Sequence, residues 1–471
     1  MNLDEIQKNS RSRWHFSRKI KILTALIIIV VILSSIFIFM QHPGTTVVQG
    51  SSNSTVTATP SATPYSNNTY PSNEALGNIA EQIRNFIYPG PTAAMPRQPP
   101  GLIETHPVIN SSVWRTIAAN AWAFYKNDWG VDQTTGLPYA GGSDFKAFTD
   151  WDLGVYIQSI MDAQKIGLID MNNATARLNK TLTFLETRPL NNDSYPYQFY
   201  DATTAKRYGS GSNVGIDLVD TGRLFVALNN VRSFNSTLAQ RVNNIVMYGR
   251  SNYTAIVPGI KSDSMIANSI YAYYYESGFA GFWPDQIPNM DTILDNIFNS
   301  GNISSYGVAL PKASISCDPL LCSFFELNSN NPKLVSLVNE VYAAHEAYYN
   351  ATGEYVAFSE GSGPSGFIWE WVVLPNGDTW KVQDASNLGT TSYLNINPIV
   401  FNKVAFSFLA IFNTTYARNT TIFLEQNLSP SENGYYEGAT DTPTPELALT
   451  LGSNTNGLIL DAALYALQKT M

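Results

Sequence analysis

Apolar side chains recur in this chain at spacings of three and four, segment after segment, and over such lengths that period admits helices and little else. Leu76, Ile79, Ile83 and Phe86 make one stripe, entered through Ser72 as N-cap, and Val113, Ile117, Ala121 and Phe124 make another. The pattern returns at about 152–168, 172–187, 217–230, 235–249, 263–277, 319–328, 333–349, 397–411, 415–426 and 444–469. Gly and Pro clusters such as YPGP, LPYAGG and SEGSGPSG punctuate it, which gives about twelve helices. One stretch departs: GFIWEWVVLPNGDTWKV alternates on either side of Asn376-Gly377 and predicts a β-hairpin. A mainly α fold with long aromatic connections fits a toroid of helical hairpins, inner helices packed on outer ones with a cleft at one end. The period fits an α-solenoid equally well.

Composition removes several functions. Two cysteines and four histidines in 471 residues exclude a disulfide scaffold and a Cys/His metal cage, so no metal or other cofactor is expected. Six of the 28 bases and two of the 37 acids lie in residues 1–41, leaving 22 bases against 35 acids, a formal −13, in the remainder. That balance argues against nucleic acid and for a neutral partner.

Ile22 to Met40 is an uncharged apolar stretch of 19 residues. As a helix it spans roughly 28 Å, the thickness of a bilayer core. Lys8, Arg11, Arg13, Arg18, Lys19 and Lys21 precede it, and no Lys or Arg follows before Arg84. The expectation is a single-pass anchor with residues 1–21 cytoplasmic and everything after it outside the cell. A cleaved signal peptide is the alternative, but its apolar run is normally shorter and a small-x-small site is missing here. Residues 41–71, rich in Ser, Thr, Asn and Pro, read as an extended tether, and 72–471 as the folded domain. Asn-x-Ser/Thr sequons from Asn53 to Asn427 agree with an exported, glycosylated chain. Cys317 and Cys322 either bridge locally, which requires a turn at Pro319, or remain buried thiols.

Five segments carry acids, amides and aromatics at turns or helix starts. Thr149-Asp150-Trp151-Asp152 opens a helix; capping explains the acids, whereas Trp151 at the mouth could stack on a sugar. YPYQFYDATTAKRYG offers Tyr197, Phe199 and Tyr200 as a sugar platform or as core packing, followed by Asp220 as a positioning acid or a cap. VAFSEGSGPSGFIWEW places Glu360 on a Gly-rich turn and Glu370 in a strand, the latter reading also as a solvent-facing residue. ENGYYEGATDTPTPE sets Glu437 beside Tyr436, where aromatic surroundings would desolvate a carboxyl and raise its pKa. LGSNTNGLILDAALYAL begins with Asn454 and Asn456, substrate-binding amides or N-caps. The sequence holds no Gly-x-Ser-x-Gly elbow, phosphate loop, His-Glu-x-x-His pair or dinucleotide fingerprint. Carboxylate chemistry is what is left, and paired acids amid Trp and Tyr suit glycosidic bond cleavage.

In order, TDWDLGVYIQSIMDAQKIGLI, YPYQFYDATTAKRY with LVDTGRLFVAL, AFSEG, GYYEGATDTPTPE and SNTNGLILDAALY resemble the glycoamylase-like domains of cyclic β-1,2-glucan synthases and related membrane-anchored proteins. The resemblance covers about residues 110–470. It implies an (α/α)6 toroid acting on glucan-type polysaccharide, with Glu360 and Glu437 at the positions of the two catalytic carboxylates. Asp150 and Asp152 depart from the small or amide residues of the synthase pattern, and no glycosyltransferase region is present. The expectation is a surface-anchored hydrolase or transglycosylase with Glu437 as general acid and Glu360 as base or nucleophile. Its rivals are a non-catalytic carbohydrate-binding protein and a structural cell-envelope module.

Overall fold

In a computed structural model, residues 109–209, 216–287, 289–327, 330–364 and 366–470 are described. The stretch at 22–40, the tether, the stripe at 76–86 and the domain boundary at 72 all lie outside them. Among the described residues no helix is long and apolar enough to cross a membrane.

Six helices close a ring. They are α2 (Asp150–Ile166), α4 (Leu218–Phe234), α7 (Ile270–Ala280), α9 (Cys317–Glu326), α11 (Asn402–Ile411) and α13 (Ser453–Thr470). Each packs on the next, and α13 returns to α2. Outside them run α1 (Ser111–Trp122) on α13, α3 (Met171–Thr187) on α2, α5 (Ser236–Met247) on α4, α6 (Val257–Ser264) and α8 (Asp291–Asn299) on α7, α10 (Pro332–Thr352) on α9, and α12 (Thr415–Asn427) on α11. Closure selects the toroid over the solenoid. Sequence explains the two layers: every residue of α9 and α11 is buried, as an all-round apolar helix requires, whereas α3 and α5 bury a single face. Helices α4 and α7 approach closely because glycines meet at the crossing. A Cβ on Gly278 would overlap the Gly222 carbonyl, and one on Gly222 would overlap that of Tyr275.

The structure corrects several expected elements. The segment at 263–277 is two helices, α6 and α7; 444–469 is a strand followed by α13; and 397–411 opens with a strand. Helix α8 was not foreseen. The single hairpin becomes eleven strands among the described residues. These are β1 (Ala147–Phe148), β2 (Tyr200–Asp201) and β3 (Lys206–Arg207) in one sheet and β4 (Asn302–Ser305) with β5 (Val308–Pro311) in another. A third sheet holds β6 (Glu360–Gly363), β7 (Gly366–Val373) and β8 (Thr379–Asp384), and a fourth, in the order β11-β10-β9, holds β9 (Ile399–Phe401), β10 (Tyr436–Thr440) and β11 (Leu447–Leu451). The Asn376-Gly377 turn does join β7 to β8, with Gly377 at φ 88°. Cys317 and Cys322 stand on one helix with Pro319 in its first turn, and both are free buried thiols.

Candidate active site

The loops of the ring bring chemistry to the starts of the inner helices. Tyr271 lies in the first turn of α7, Asp318 in that of α9, Lys403 in that of α11, and Asn454 and Thr455 in that of α13. Hydrogen bonds fix the entry to α9: Ile315 exchanges backbone bonds with Val372 and Val373 of β7, and the Cys317 N–H donates to the Phe358 carbonyl at 3.1 Å. Buried His345 holds the same segment from α10 by accepting the Phe358 N–H on Nε2 at 3.2 Å. Burial pushes its pKa down to about 4, so the ring is neutral.

Two strands deliver the glutamates. Glu360 is the first residue of β6 and pairs with Trp369 of β7. Glu437 sits in β10 where the register with β11 shifts between Tyr436 and Gly438, an irregularity that re-aims a side chain. Strand β6 packs against β10 and β11, and the Glu437 carboxylate is held between two glycine backbones. A Cβ at Gly361 would lie 2.6 Å from Glu437 Oε2, and one at Gly452 would overlap Oε1. Side chains larger than hydrogen at either position would displace the acid.

Both carboxylates surround one buried ion pair. Lys403 Nζ donates to Asp318 Oδ2, with both residues fully buried. Asp318 also accepts from Asn454 Nδ2 at 2.8 Å and from the Cys322 thiol at 3.6 Å. Burial works against the Lys403 charge, yet the Asp318, Glu437 and Glu360 carboxylates outweigh it and raise its pKa. Glu360 Oε2 accepts the Tyr271 hydroxyl at 2.5 Å, and the Trp369 side chain donates to the same carboxylate. Burial first, and the Asp318 charge second, push Glu360 up to about 7. Lys403, Tyr271 and Trp369 oppose that rise; Glu437 is raised by burial too, and there the Lys403 ammonium and the Thr455 hydroxyl, at 2.7 Å from Oε2, outrank the Asp318 charge in pulling back toward the charged form. Burial thus raises both glutamates, and Asp318 adds more to the rise at Glu360 than Lys403 takes away.

The other expected residues have contacts of their own. Asp152 completes a capping box with Thr149, so the capping reading holds for it, whereas Asp150 does not cap: it is the ion-pair partner of Arg188 at 2.5 Å. Trp151 is packed rather than displayed: the Arg223 guanidinium lies over its ring at 5.6 Å and Tyr274 meets it edge-on. Asp217, not Asp220, caps α4; half-buried Asp220 stands between Asp217 and Thr149, its pKa raised by burial and by Asp217. Tyr200 is buried with its hydroxyl on the Pro189 carbonyl, Tyr197 lies under Arg207, and Phe199 meets Phe145 edge-on. Glu370 does not face solvent: it is fully buried and accepts the Ile399 N–H at 2.7 Å, tying β7 to β9. Neither amide caps α13, since both lie inside it. Asn456 staples Tyr435 through its N–H and carbonyl, and Asn454 reaches Asp318. Tyr436, half-buried, takes the Asn402 amide on its carbonyl.

Sequence reading missed Tyr271, Asp318, Lys403 and Thr455. A signal existed for two of them: Lys403 is a lone cation in an apolar run, IVFNKVAFSFLAIF, and Asp318 a lone acid in SISCDPLLCSFF. Charges so placed are buried, and buried charges need partners.

Solved structures share this architecture. The endo-β-1,2-glucanase of Chitinophaga pinensis, in complex with sophorotriose and glucose, is 14% identical over 77% of this chain and 95% of that one, with a TM-score of 0.51. The endo-β-1,2-glucanase of Talaromyces funiculosus, in complex with sophorose, is 8% identical over 76% and 85%, with a TM-score of 0.53. A D-mannose isomerase is 10% identical over 78% and 100%, at 0.50, so the fold carries more than one reaction. No curated protein matches. The family described as "Protein of unknown function (DUF3131)" matches residues 116–268 and 302–469, more than half of the chain. On that match the chain, a helical toroid with two strand-borne glutamates, belongs to that family.

Proposed function

We propose that this chain is a glycoside hydrolase or transglycosylase of a neutral glucan, working through Glu360 and Glu437. The observation that carries the reading is their convergence on the Lys403–Asp318 pair, with one glutamate poised to titrate at about 7. Glycosidic cleavage needs a protonated carboxyl at the leaving oxygen and a charged one to act as base or nucleophile. The local charges favour Glu360 as the acid and Glu437, nearer the ammonium, as the carboxylate. This inverts the order expected from the tyrosines around Glu437: Tyr435 turns into the core against Phe406, and although burial raises Glu437 too, Lys403 opposes the rise. Neighbours that carry sophorose or sophorotriose favour a β-1,2-linked substrate. The apolar run at 22–40 would hold the toroid outside the cell on its tether.

The test is release of reducing sugar from a panel of linear α- and β-glucans by the full chain. Glu360→Gln and Glu437→Gln should each lower turnover by at least about a thousandfold while still melting cooperatively at pH 5, where Glu360 is neutral in the folded chain. Wild-type protein that binds glucan and releases nothing would leave the carbohydrate-binding protein as the answer.

A further inference from the structure

The β6–β7 hairpin carries an aromatic stripe that the reaction itself does not use. Residues paired across an antiparallel ladder share a face, so Glu360 shares one with Trp369, and Ser362 with Phe367. Alternation along β7 adds Trp371 to that face, while Ile368, Glu370 and Val372 turn inward and are buried. Exposure grades along the stripe. Trp371 is 9% exposed and packs against Tyr271 at 5.8 Å, Trp369 is half-buried, and Phe367 is 45% exposed near the hairpin tip. Phe367 and Trp369 meet edge to face at 4.8 Å, and Trp369 donates to Glu360.

We propose that Phe367 and Trp369 form a glycan-binding track that seats the chain of a neutral oligosaccharide as it runs out from Glu360. The occupant follows from continuity and charge. The stripe begins at the carboxyl that would protonate the glycosidic oxygen, so whatever lies on it is joined to the bond being cleaved. Its faces are aromatic, and its nearest partner across the ladder beside Phe367 is the hydroxyl residue Ser362, not a charge. Aromatic faces with neutral hydroxyls suit the C–H faces of pyranose rings. The inference rests on the glycosidase reading for its starting point at Glu360.

Binding separates the two. Full-length Glu437→Gln protein is titrated with a disaccharide and with a long chain from each linear glucan of the panel, read by tryptophan fluorescence. The long chain of at least one glucan should bind more tightly than its disaccharide. Adding Phe367→Ala should weaken the long chain roughly tenfold and leave the disaccharide within about twofold. An unchanged long-chain affinity in Phe367→Ala overturns the track, as does the absence of binding to every glucan. If wild-type protein proves unable to cleave but the Phe367 effect is present, the hydrolase reading fails and the track stands.

Discussion

Lys403 is the residue on which the site turns. It neutralises Asp318, leaves Glu437 beside a positive charge, and acts on Glu360 less strongly than Asp318 does. The pair thus drives the two glutamates apart in pKa, which is how one site obtains an acid and a base at the same pH. Removing Lys403 alone would strand a buried carboxylate at a cost of about 3–5 kcal/mol, so the informative variant is Lys403→Met with Asp318→Asn. Without the pair, Glu360 loses its main charged neighbour and its pKa falls; Glu437 loses its cation and its pKa rises. Wild-type turnover should decline above about pH 7 as Glu360 deprotonates. In the double variant the alkaline limb should move down and the acidic limb up, narrowing the bell. Limbs that stay where they were would remove the pair from the chemistry.

Among the elements, helices were legible where one face is apolar and ambiguous where burial is complete. Helices α3 and α5 read directly from their stripes, whereas β9, ahead of α11, was absorbed into a continuous apolar run, because a buried strand and a buried helix look alike in composition. Strand β11 was likewise read into α13. Leu447 and Leu449 are exposed on it, so their spacing reports no core face. Glycines carry information of another kind. Gly278→Ala should destabilise the protein by about 2 kcal/mol or more by forcing α7 from α4, since the new methyl meets backbone. Gly259→Ala on α6, with open space around it, should be neutral or stabilise by up to about 1 kcal/mol. Equal melting temperatures for the two variants would contradict the close crossing.

For the molecule as a whole, the wall of the toroid stores acids in a form that prefers to be neutral. Burial, with Asp263 alongside, pushes Glu276 up to about 9, and Glu360 lies at about 7. Burial with Asp162 and Glu326 raises Asp461 as well. An unfolded glutamate titrates near 4.5, so the folded chain holds protons that the unfolded chain has released. Stability from such groups is complete below that value and is lost as pH rises through the folded pKa. For Glu360 the loss is on the order of 3 kcal/mol by pH 7. The melting temperature should therefore fall from pH 5 to pH 9, and Glu276→Gln should flatten the fall at its alkaline end while changing little at pH 5. A melting temperature that rises over that range would refute this account.

Period and composition, which are local properties, sufficed for a mainly helical reading, because helices are written in neighbouring residues; the turns expected at Glu360 and Glu437 are instead strands β6 and β10, which pack against each other from distant parts of the chain. The order of the ring, the fate of the aromatics and the roles of the acids were settled only by contacts between distant segments. Trp151 and Tyr200 could have faced a ligand as readily as the core until Arg223 and Pro189 came to meet them. Glu360 and Glu437 acquired unequal affinities for a proton only when α9 and α11 set Asp318 and Lys403 beside them. Charge acts through space, and the sequence holds no record of the distances.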